Sequence, residues 1–143
     1  MIDLFSRQVV GWAIDDHMRA SLCVKALQMA FWRRKPPPGL LHHSDRGSQY
    51  VSREYRQHLA VMRMEQSMSR KGNCWDNAVA ESFFGSLKTR LTHHCTFHSV
   101  DEAEQALFDY IEIYYNRQRK HSTNGYRSPA QYELDWWMNF KAA

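Results

Sequence analysis

The chain has 143 residues, of which 43% are hydrophobic, and it contains seven Phe, seven Tyr and five Trp. This length and this aromatic content favour one folded domain with a sizeable core, and they exclude an intrinsically disordered chain. No apolar run approaches the about 20 residues of a membrane-spanning helix and no signal-peptide pattern is present, so the sequence predicts no membrane partner.

Charge and cysteine content narrow the class of protein further. The formal net charge is +4, which favours a polyanionic partner such as nucleic acid. The three cysteines, Cys23, Cys74 and Cys95, are scattered and form no CxxC pair. Reduced thiols and a cytoplasmic location are therefore expected instead of a disulfide framework.

The first third of the chain predicts a hairpin and a helix. Residues 1–4 end a strand, residues 5–7 turn, and residues 8–14 return as a strand because they are rich in β-favouring side chains. From residue 20 to about residue 34, apolar side chains recur at helical spacing, and basic side chains end the helix where cations are favoured. Three prolines at 36–38 then exclude helix and form a stiff link.

The middle of the chain predicts two more strands around a short helix. An apolar run within residues 39–44 indicates a strand. Ser52 is a favourable N-cap for a helix that runs to about Val61, and residues 64–68 form the next strand. The polar residues 69–75 follow as a loop.

Three helices are predicted in the second half of the chain. Asp76 is the N-cap of the first, and the apolar residues of that helix form one i, i+4 row. The row consists of Val79, Phe83, Leu87 and Leu91. Ser99 and Glu102 form a capping box for the second helix. Ser128 caps the last helix, and Pro129 takes its first position, where proline is tolerated.

Two carboxylates frame the central stretch of the sequence. Asp45 directly follows a predicted strand, Glu81 lies on a predicted helix, and 35 residues separate them. Lys88 comes seven residues after Glu81 and returns to the same helix face, since an α-helix turns about 100° per residue. Asn77 lies on that face too, so the helix presents an amide, a carboxylate and a lysine together.

This arrangement suits metal-assisted phosphoryl transfer. Hard cations such as Mg²⁺ bind carboxylate oxygens and keep positions open for water and phosphate. Two-metal sites hold ions about 3.5–4 Å apart, so their carboxylates must converge from separate elements, such as a strand end and a helix face. The alternative is an exposed turn aspartate and a solvated helix glutamate, because most charged side chains are simply exposed.

Three longer sequence motifs accompany the two acids: His42–Tyr50, Ser67–Ala78 and Tyr115–His121. Together with the spacing of the acids and the lysine, they resemble the integrase-core transposases of bacterial insertion sequences, which are related to retroviral integrases. The signature of that family begins with an Asp and a second Asp. A Glu follows the second Asp at the spacing of Glu81 from Asp45, and a Lys or Arg follows that Glu at the spacing of Lys88 from Glu81. The resemblance covers nearly the whole chain.

The resemblance implies a fold and a domain division. The fold class is α/β, a ribonuclease H-like mixed sheet of five strands with helices on both faces, whose first (central) strand is missing here. Residues 1–134 form a truncated catalytic core and residues 135–143 a C-terminal tail. Asp3, Asp15 and Asp16 do not match the first catalytic Asp, so the chain resembles the C-terminal part of a transposase.

The resemblance also implies an activity. Asp45 and Glu81 match the second Asp and the Glu, so they are the expected catalytic and metal-binding residues, with Mg²⁺ or Mn²⁺ as two ions in a complete site. The reaction is the cleavage and joining of DNA strands at transposon ends and target, carried out by a homo-oligomer in the bacterial cytoplasm and associated with the nucleoid. The alternative is a non-catalytic truncated remnant that at most binds DNA.

Seven residues are expected to contact DNA by charge, by position or by match to the family. They are Arg46, Arg70, Lys71, Asn77, Lys88, Arg119 and His121. For Arg70 and Lys71, a solvated loop is the alternative. For Arg119 and His121, the alternative is a structural role.

Overall fold

The computed structural model describes residues 1–69 and 77–142, which form a mixed α/β structure. The chain divides into two compact units. The first unit contains Met1 with Val10–Ser82, and the second contains Ile2–Val9 with Phe83–Ala143. None of the helices in the described part combines the length and apolar character needed to span a lipid bilayer.

The first unit is built around a parallel pair of strands with helices. In chain order its elements are α1 (Ala20–Arg34), β1 (Leu41–Ser44), α2 (Ser48–Val51), α3 (Arg53–Val61) and β2 (Glu65–Met68). Leu41 pairs with Glu65 and Ser44 with Met68, so the two strands end at the same edge. The helical crossover supplies the long connection that parallel strands require.

The core of the first unit joins α1 to α3. Its buried residues are Val24, Leu27, Tyr55 and Leu59. Tyr55 is completely buried, and its hydroxyl lies 2.9 Å from Nε2 of His42 on β1. The same cluster that packs the helices therefore also fixes β1.

The second unit is helical and aromatic. Helix α4 (Ala78–Leu87) contains the boundary between the units and continues as a π-helical segment, Lys88–Thr92. Helix α5 (Val100–Phe108) continues likewise into the π-helical segment Asp109–Tyr115, and α6 (Pro129–Ala142) ends the described chain. The buried side chains of α4 and the second π-helical segment are Phe83, Leu87, Tyr110, Ile111 and Tyr115.

Two buried asparagines hold the N-terminal hairpin in the second unit. The amide of Asn116 accepts from Val9 N–H and donates to Val9 O, each at 2.9 Å, as a neighbouring strand would. Asn124 Nδ2 donates to Ser6 O at 2.7 Å. Both asparagines are 2% exposed, so the hairpin replaces the water that their amides would otherwise bind.

Three predicted helices are confirmed by their caps. The side chains of Ser52, Ser99 and Ser128 each accept from the backbone N–H three residues later, at 3.1, 3.1 and 3.3 Å. The predicted capping box differs in one partner, because Glu102 accepts from the N–H of His98 and not of Ser99. The N-cap predicted at Asp76 lies outside the described residues.

The strand predicted over residues 8–14 is wrong. Among residues 1–69 and 77–142 the sheet has two strands, and the hairpin shows one isolated antiparallel bridge, between Ile2 and Val9. Gly11 is buried directly against the backbone of α1, where a Cβ would meet Ala26 O at 2.2 Å. Packing against a helix therefore replaces pairing with a strand over this segment.

The predicted division between residues 134 and 135 falls inside α6, which runs from Pro129 to Ala142. The helix continues across that point without interruption. The division of the chain into a core and a tail stays a prediction.

Substituting Gly11 by alanine should destabilise the first unit. The added Cβ would overlap Ala26 O and approach Ala30 N and Cβ to within 2.8 and 2.9 Å, so α1 has to move. Overpacking of this kind costs about 1–3 kcal/mol or more. Equilibrium urea denaturation of the two proteins measures the difference in the free energy of unfolding.

Gly85→Ala is the matched control for Gly11→Ala. Gly85 is exposed on α4, and an added Cβ meets nothing within 4 Å. Alanine should stabilise the helix by up to about 1 kcal/mol. A Gly11→Ala protein as stable as the parent would show that α1 packs differently.

Candidate metal and DNA site

Asp45 is the first residue after β1, and its carboxylate is shaped by a tight turn. Asp45 Oδ1 accepts from the N–H of Gly47 at 2.8 Å. A Cβ on Gly47 would lie 2.9 Å from that oxygen, so glycine allows the close approach of the backbone. The side chain of Asp45 is nevertheless exposed, and Oδ2 takes part in no hydrogen bond within the described ranges.

The two strand ends beside Asp45 are joined by hydrogen bonds. Ser69 N–H donates to Ser44 O at 2.9 Å, which extends the strand pairing by one residue. Arg46 Nε donates to Ser69 O at 3.0 Å. The guanidinium of Arg46, a predicted DNA contact, is thus bound to the residue that follows β2.

His42 and His43 of β1 contact different partners, as alternation along a strand requires. His43 Nδ1 lies 3.0 Å from Ser67 Oγ, its paired residue on β2. His42 Nε2 bonds the Tyr55 hydroxyl, and burial lowers the pKa of His42 to about 4. His42 is therefore a half-buried residue that is neutral near pH 7.

Glu81 lies on the exposed side of α4, as predicted. The apolar row of this helix is turned inward, with Phe83 and Leu87 only 6% and 8% exposed. Glu81 makes no hydrogen bond or ion pair with any residue in 1–69 or 77–142. Lys88, also exposed, begins the π-helical segment, and the half-buried Asn77 directly precedes α4.

Three consecutive residues elsewhere in the first unit lie close enough together to hold a cation. Ligand atoms of Asp15, Asp16 and His17 lie within 4.8 Å of one another. The pKa of Asp15 is lowered, first by its hydrogen bond with Asp16 and also by Lys25, whose Nζ is 3.5 Å away. All three residues of this group are exposed, and such acidic groups are common without an ion.

Arg119 and His121, both predicted DNA contacts, pack on one ring. Arg119 Cζ lies 5.4 Å from the ring centroid of Tyr115, and its Nη1 lies 2.9 Å from His121 Nδ1. The rings of Tyr115 and His121 meet edge to face at 5.0 Å. These contacts agree with the structural alternative for this pair, and both the structural role and the DNA contact stay predictions.

Two predicted DNA contacts, Arg70 and Lys71, lie outside the described residues. Sequence reasoning also missed two supporting residues, one in each unit. Gly47 carries no local signal beyond its place in the turn after Asp45. Asn116 looked like part of a basic connection, because a buried amide has no distinguishing pattern in sequence.

The structure shows an α/β domain in which an exposed acid follows a parallel strand and a second exposed acid lies on a helix. In α/β proteins, ligand sites commonly lie at the carboxyl ends of parallel strands. The integrase core domain family matches residues 1–74, and a second integrase core domain family matches residues 81–135. The chain belongs to the integrase core domain family, which confirms the family predicted from its sequence.

Relatives of known sequence agree with this assignment. The chain is 48% identical over 130 residues to the insertion element IS600 uncharacterized 31 kDa protein of Shigella sonnei, covering 91% of this chain and 48% of the relative. It is 48% identical over 133 residues to transposase InsF for insertion sequence IS3A of Escherichia coli strain K12, covering 93% and 46%. The chain spans about half the length of the curated relatives that it matches.

A solved structure shares the fold. The cryo-electron microscopy structure of a simian T-cell lymphotropic virus intasome in complex with PP2A regulatory subunit B56 gamma matches with a TM-score of 0.64. The match covers 82% of this chain and 41% of that chain at 17% sequence identity. At this identity the likeness shows the fold alone.

The neutral His42 predicts a loss of stability in acid. The pKa is about 4 in the folded chain and near 6.5 when unfolded, so the unfolded chain binds the proton first as the pH falls. The stability that the neutral imidazole of His42 contributes is fully present above pH 6.5 and is lost progressively toward pH 4. Melting temperatures across this interval should fall less steeply in His42→Asn than in the parent.

His98→Asn serves as the control for that comparison, because His98 is exposed. Its melting temperature should follow the pH dependence of the parent chain. Equal pH dependence in His42→Asn and the parent would mean that His42 titrates normally in the folded chain.

Proposed function

We propose that this chain is the catalytic-core segment of an insertion-sequence transposase, and that the whole protein cleaves and joins DNA strands with divalent metal ions. One observation carries the proposal. In a member of the integrase core domain family, the acid that follows β1 is exposed and held by the turn at Gly47, at the spacing from Glu81 that the family signature requires. The family match and the transposase relatives favour this function over a remnant that only binds DNA.

The donor set suits a hard divalent cation such as Mg²⁺ or Mn²⁺. Asp45 and Glu81 belong to the same compact unit, and both are exposed carboxylates. Asp45 Oδ2 and both oxygens of Glu81 have no hydrogen-bond partner in the described ranges, so coordination would displace no hydrogen bond among those residues. Two ions bound there would activate a water or 3′-hydroxyl nucleophile and stabilise charge on the phosphate.

A complete site of this family would need one more acid, and the acids nearest the hairpin are poorly suited to supply it. Asp3 Oδ1 accepts from Phe5 N–H at 2.8 Å, which caps the hairpin turn. Asp15 and Asp16 contact each other and His17. Asp45 and Glu81 would therefore supply two of the three ligands that the family signature leads us to expect.

The finer fold assignment is part of the same proposal. The two parallel strands would belong to a ribonuclease H-like mixed sheet with helices on both faces, whose central strand is not among the described strands. The likeness to the intasome chain supports this arrangement. A catalytic acid at the carboxyl end of β1 also agrees with where α/β sheets place their ligands.

DNA would be the partner, in the form of transposon ends and target. Lys88 is exposed one residue after α4, and the seven proposed contacts are Arg46, Arg70, Lys71, Asn77, Lys88, Arg119 and His121. A homo-oligomer would hold paired DNA ends. The solved relative is an intasome, which supports an assembly on DNA without fixing its composition.

Manganese binding tests the proposed ligands directly. Titration of the chain with Mn²⁺, followed by electron paramagnetic resonance of the free ion, should show weak binding. Asp45→Asn and Glu81→Gln should each raise the Kd at least about tenfold, since disturbed metal sites lose about 10–100-fold. Asp16→Asn, which removes an exposed acid of the competing group, should leave the Kd unchanged. Loss of binding in Asp16→Asn alone would refute the assignment.

Catalysis provides a separate prediction. The 143-residue chain should show no detectable nicking or joining of a labelled DNA end with Mg²⁺ or Mn²⁺, because ligand misplacement of about 1 Å already costs roughly a hundredfold. A longer protein that adds an upstream strand with an aspartate should be active, and Glu81→Gln should abolish that activity. Metal-dependent nicking by the short chain that disappears in Asp45→Asn would show that the site is already complete.

A further inference from the structure

The last helix of the second unit exposes an apolar surface along its final turns. Five large apolar side chains of α6 are between 41% and 63% exposed, and we call them the α6 face: Leu134, Trp136, Trp137, Met138 and Phe140. Since an aromatic side chain has about 150–250 Å² of surface, the α6 face presents about 600 Å² to solvent. A patch of this size is at the upper limit for monomeric proteins and is typical of an interaction site.

Contacts within the unit hold α6 and leave the α6 face exposed. The ring centroid of Phe5, in the N-terminal hairpin, lies 5.1 Å from that of Tyr132 and 5.6 Å from that of Trp136. Asp135 accepts from Arg127 Nε at 2.8 Å. The helix is therefore fixed to its unit before any partner binds.

The rings of the α6 face are already ordered against one another. Trp136 and Phe140 stack with their centroids 5.1 Å apart and their planes 13° from parallel. Trp136 also meets Trp137 edge to face at 4.9 Å. Because these rings are held by each other, little side-chain freedom is lost when a partner covers them. Aromatic side chains are also the type enriched in the buried centre of protein interfaces.

The charges of α6 favour a second copy of the chain over nucleic acid. Residues 129–142 contain two acids, Glu133 and Asp135, and one cation, Lys141, so phosphate groups would be repelled. Glu133 and Lys141 lie four residues before and four residues after Trp137. In an antiparallel pair of α6 helices with Trp137 on the two-fold axis, each Lys141 meets the Glu133 of the other copy.

That antiparallel arrangement also satisfies other physical requirements. Glu133 accepts from Ser6 Oγ at 2.6 Å, which holds its carboxylate in place. A parallel pair would instead place like charges side by side and align the two helix dipoles unfavourably. Two copies of the α6 face would bury about 1,200 Å² together, which reaches the lower limit for stable protein interfaces.

We infer that the α6 face binds a second copy of this chain through antiparallel pairing of the two α6 helices around Trp137. The inference assigns a contact surface to the homo-oligomer of the proposed function. It rests on that function for the purpose of the assembly and not for its formation, because the contacts involve neither metal nor DNA.

Sedimentation velocity of the 143-residue chain over a wide range of protein concentration, without DNA or metal, tests the interface. The parent should change from monomer to dimer as its concentration rises. Trp137→Glu and Leu134→Glu should each raise the Kd of the dimer at least about tenfold, because each would bury an unpaired charge in the contact. A parent that stays monomeric would overturn the inference and leave the α6 face to another segment of a longer protein.

Trp32→Glu is the matched control, because it makes the same substitution at an exposed tryptophan of α1. Its Kd should equal that of the parent. Equal losses in Trp32→Glu and Trp137→Glu, or a dimer that persists in both α6 variants, would overturn the inference. Circular dichroism checks folding, and Leu134→Glu decides the outcome if Trp137→Glu fails to fold.

Lys141 variants test the antiparallel arrangement. Lys141→Glu would place like charges beside Glu133 of the second copy at two equivalent places, so the Kd should rise about fivefold. Lys141→Arg keeps the charge and should leave the Kd unchanged. Equal Kd values in these two variants would overturn the antiparallel pairing.

The metal-site variants separate this inference from the proposed function. Asp45→Asn and Glu81→Gln should form dimers with the Kd of the parent, since both residues lie outside α6. A monomeric parent that binds Mn²⁺ would overturn the interface alone. A dimer that binds no Mn²⁺ would support the interface and count against the proposed metal site.

Discussion

The position of Asp45 depends on one constraint, which is the parallel pairing of β1 with β2. Its register brings both strand ends to one edge, and the hydrogen bond from Ser69 to Ser44 prolongs the pairing past the last paired residues. Asp45 thus directly follows a backbone position tethered to β2, Ser44, and precedes Arg46, whose side chain bonds Ser69 O. Its backbone is held although its side chain meets solvent, and a ligand held on a rigid element needs little rearrangement to bind an ion.

In the second unit, aromatic rings hold two arginine side chains in place. The π-helical segment that follows α5 presents two adjacent tyrosines, and each receives a guanidinium. Arg90 lies 5.1 Å from the ring centroid of Tyr114, and Arg119 lies 5.4 Å from that of Tyr115. Such contacts contribute about 0.5–1 kcal/mol each at exposed positions. π-Helical turns are often found at functional positions. Here the two neighbouring tyrosines of such a segment each contact one guanidinium.

The sequence was informative where one local rule determined the outcome. The bounds of α1 and α3 followed from apolar periodicity and a serine cap, and the outward direction of Glu81 followed from the inward row of Phe83 and Leu87. Prediction from the sequence was wrong where packing between distant segments determined the local structure. The β-favouring residues after Val9 form no strand, because Gly11 lies against α1.

The paired amide of Asn116 has a consequence for how the chain acquires its shape. It joins two positions 107 residues apart, and Asn124 joins Ser6 across 118 residues. Contacts of such sequence separation form late, because the entropy of closing a long loop is lost before any bond compensates for it. During synthesis the hairpin emerges more than a hundred residues before the two asparagines that bind it. The second unit is therefore assembled only after translation has passed residue 124, whereas the contacts of the first unit are available much earlier.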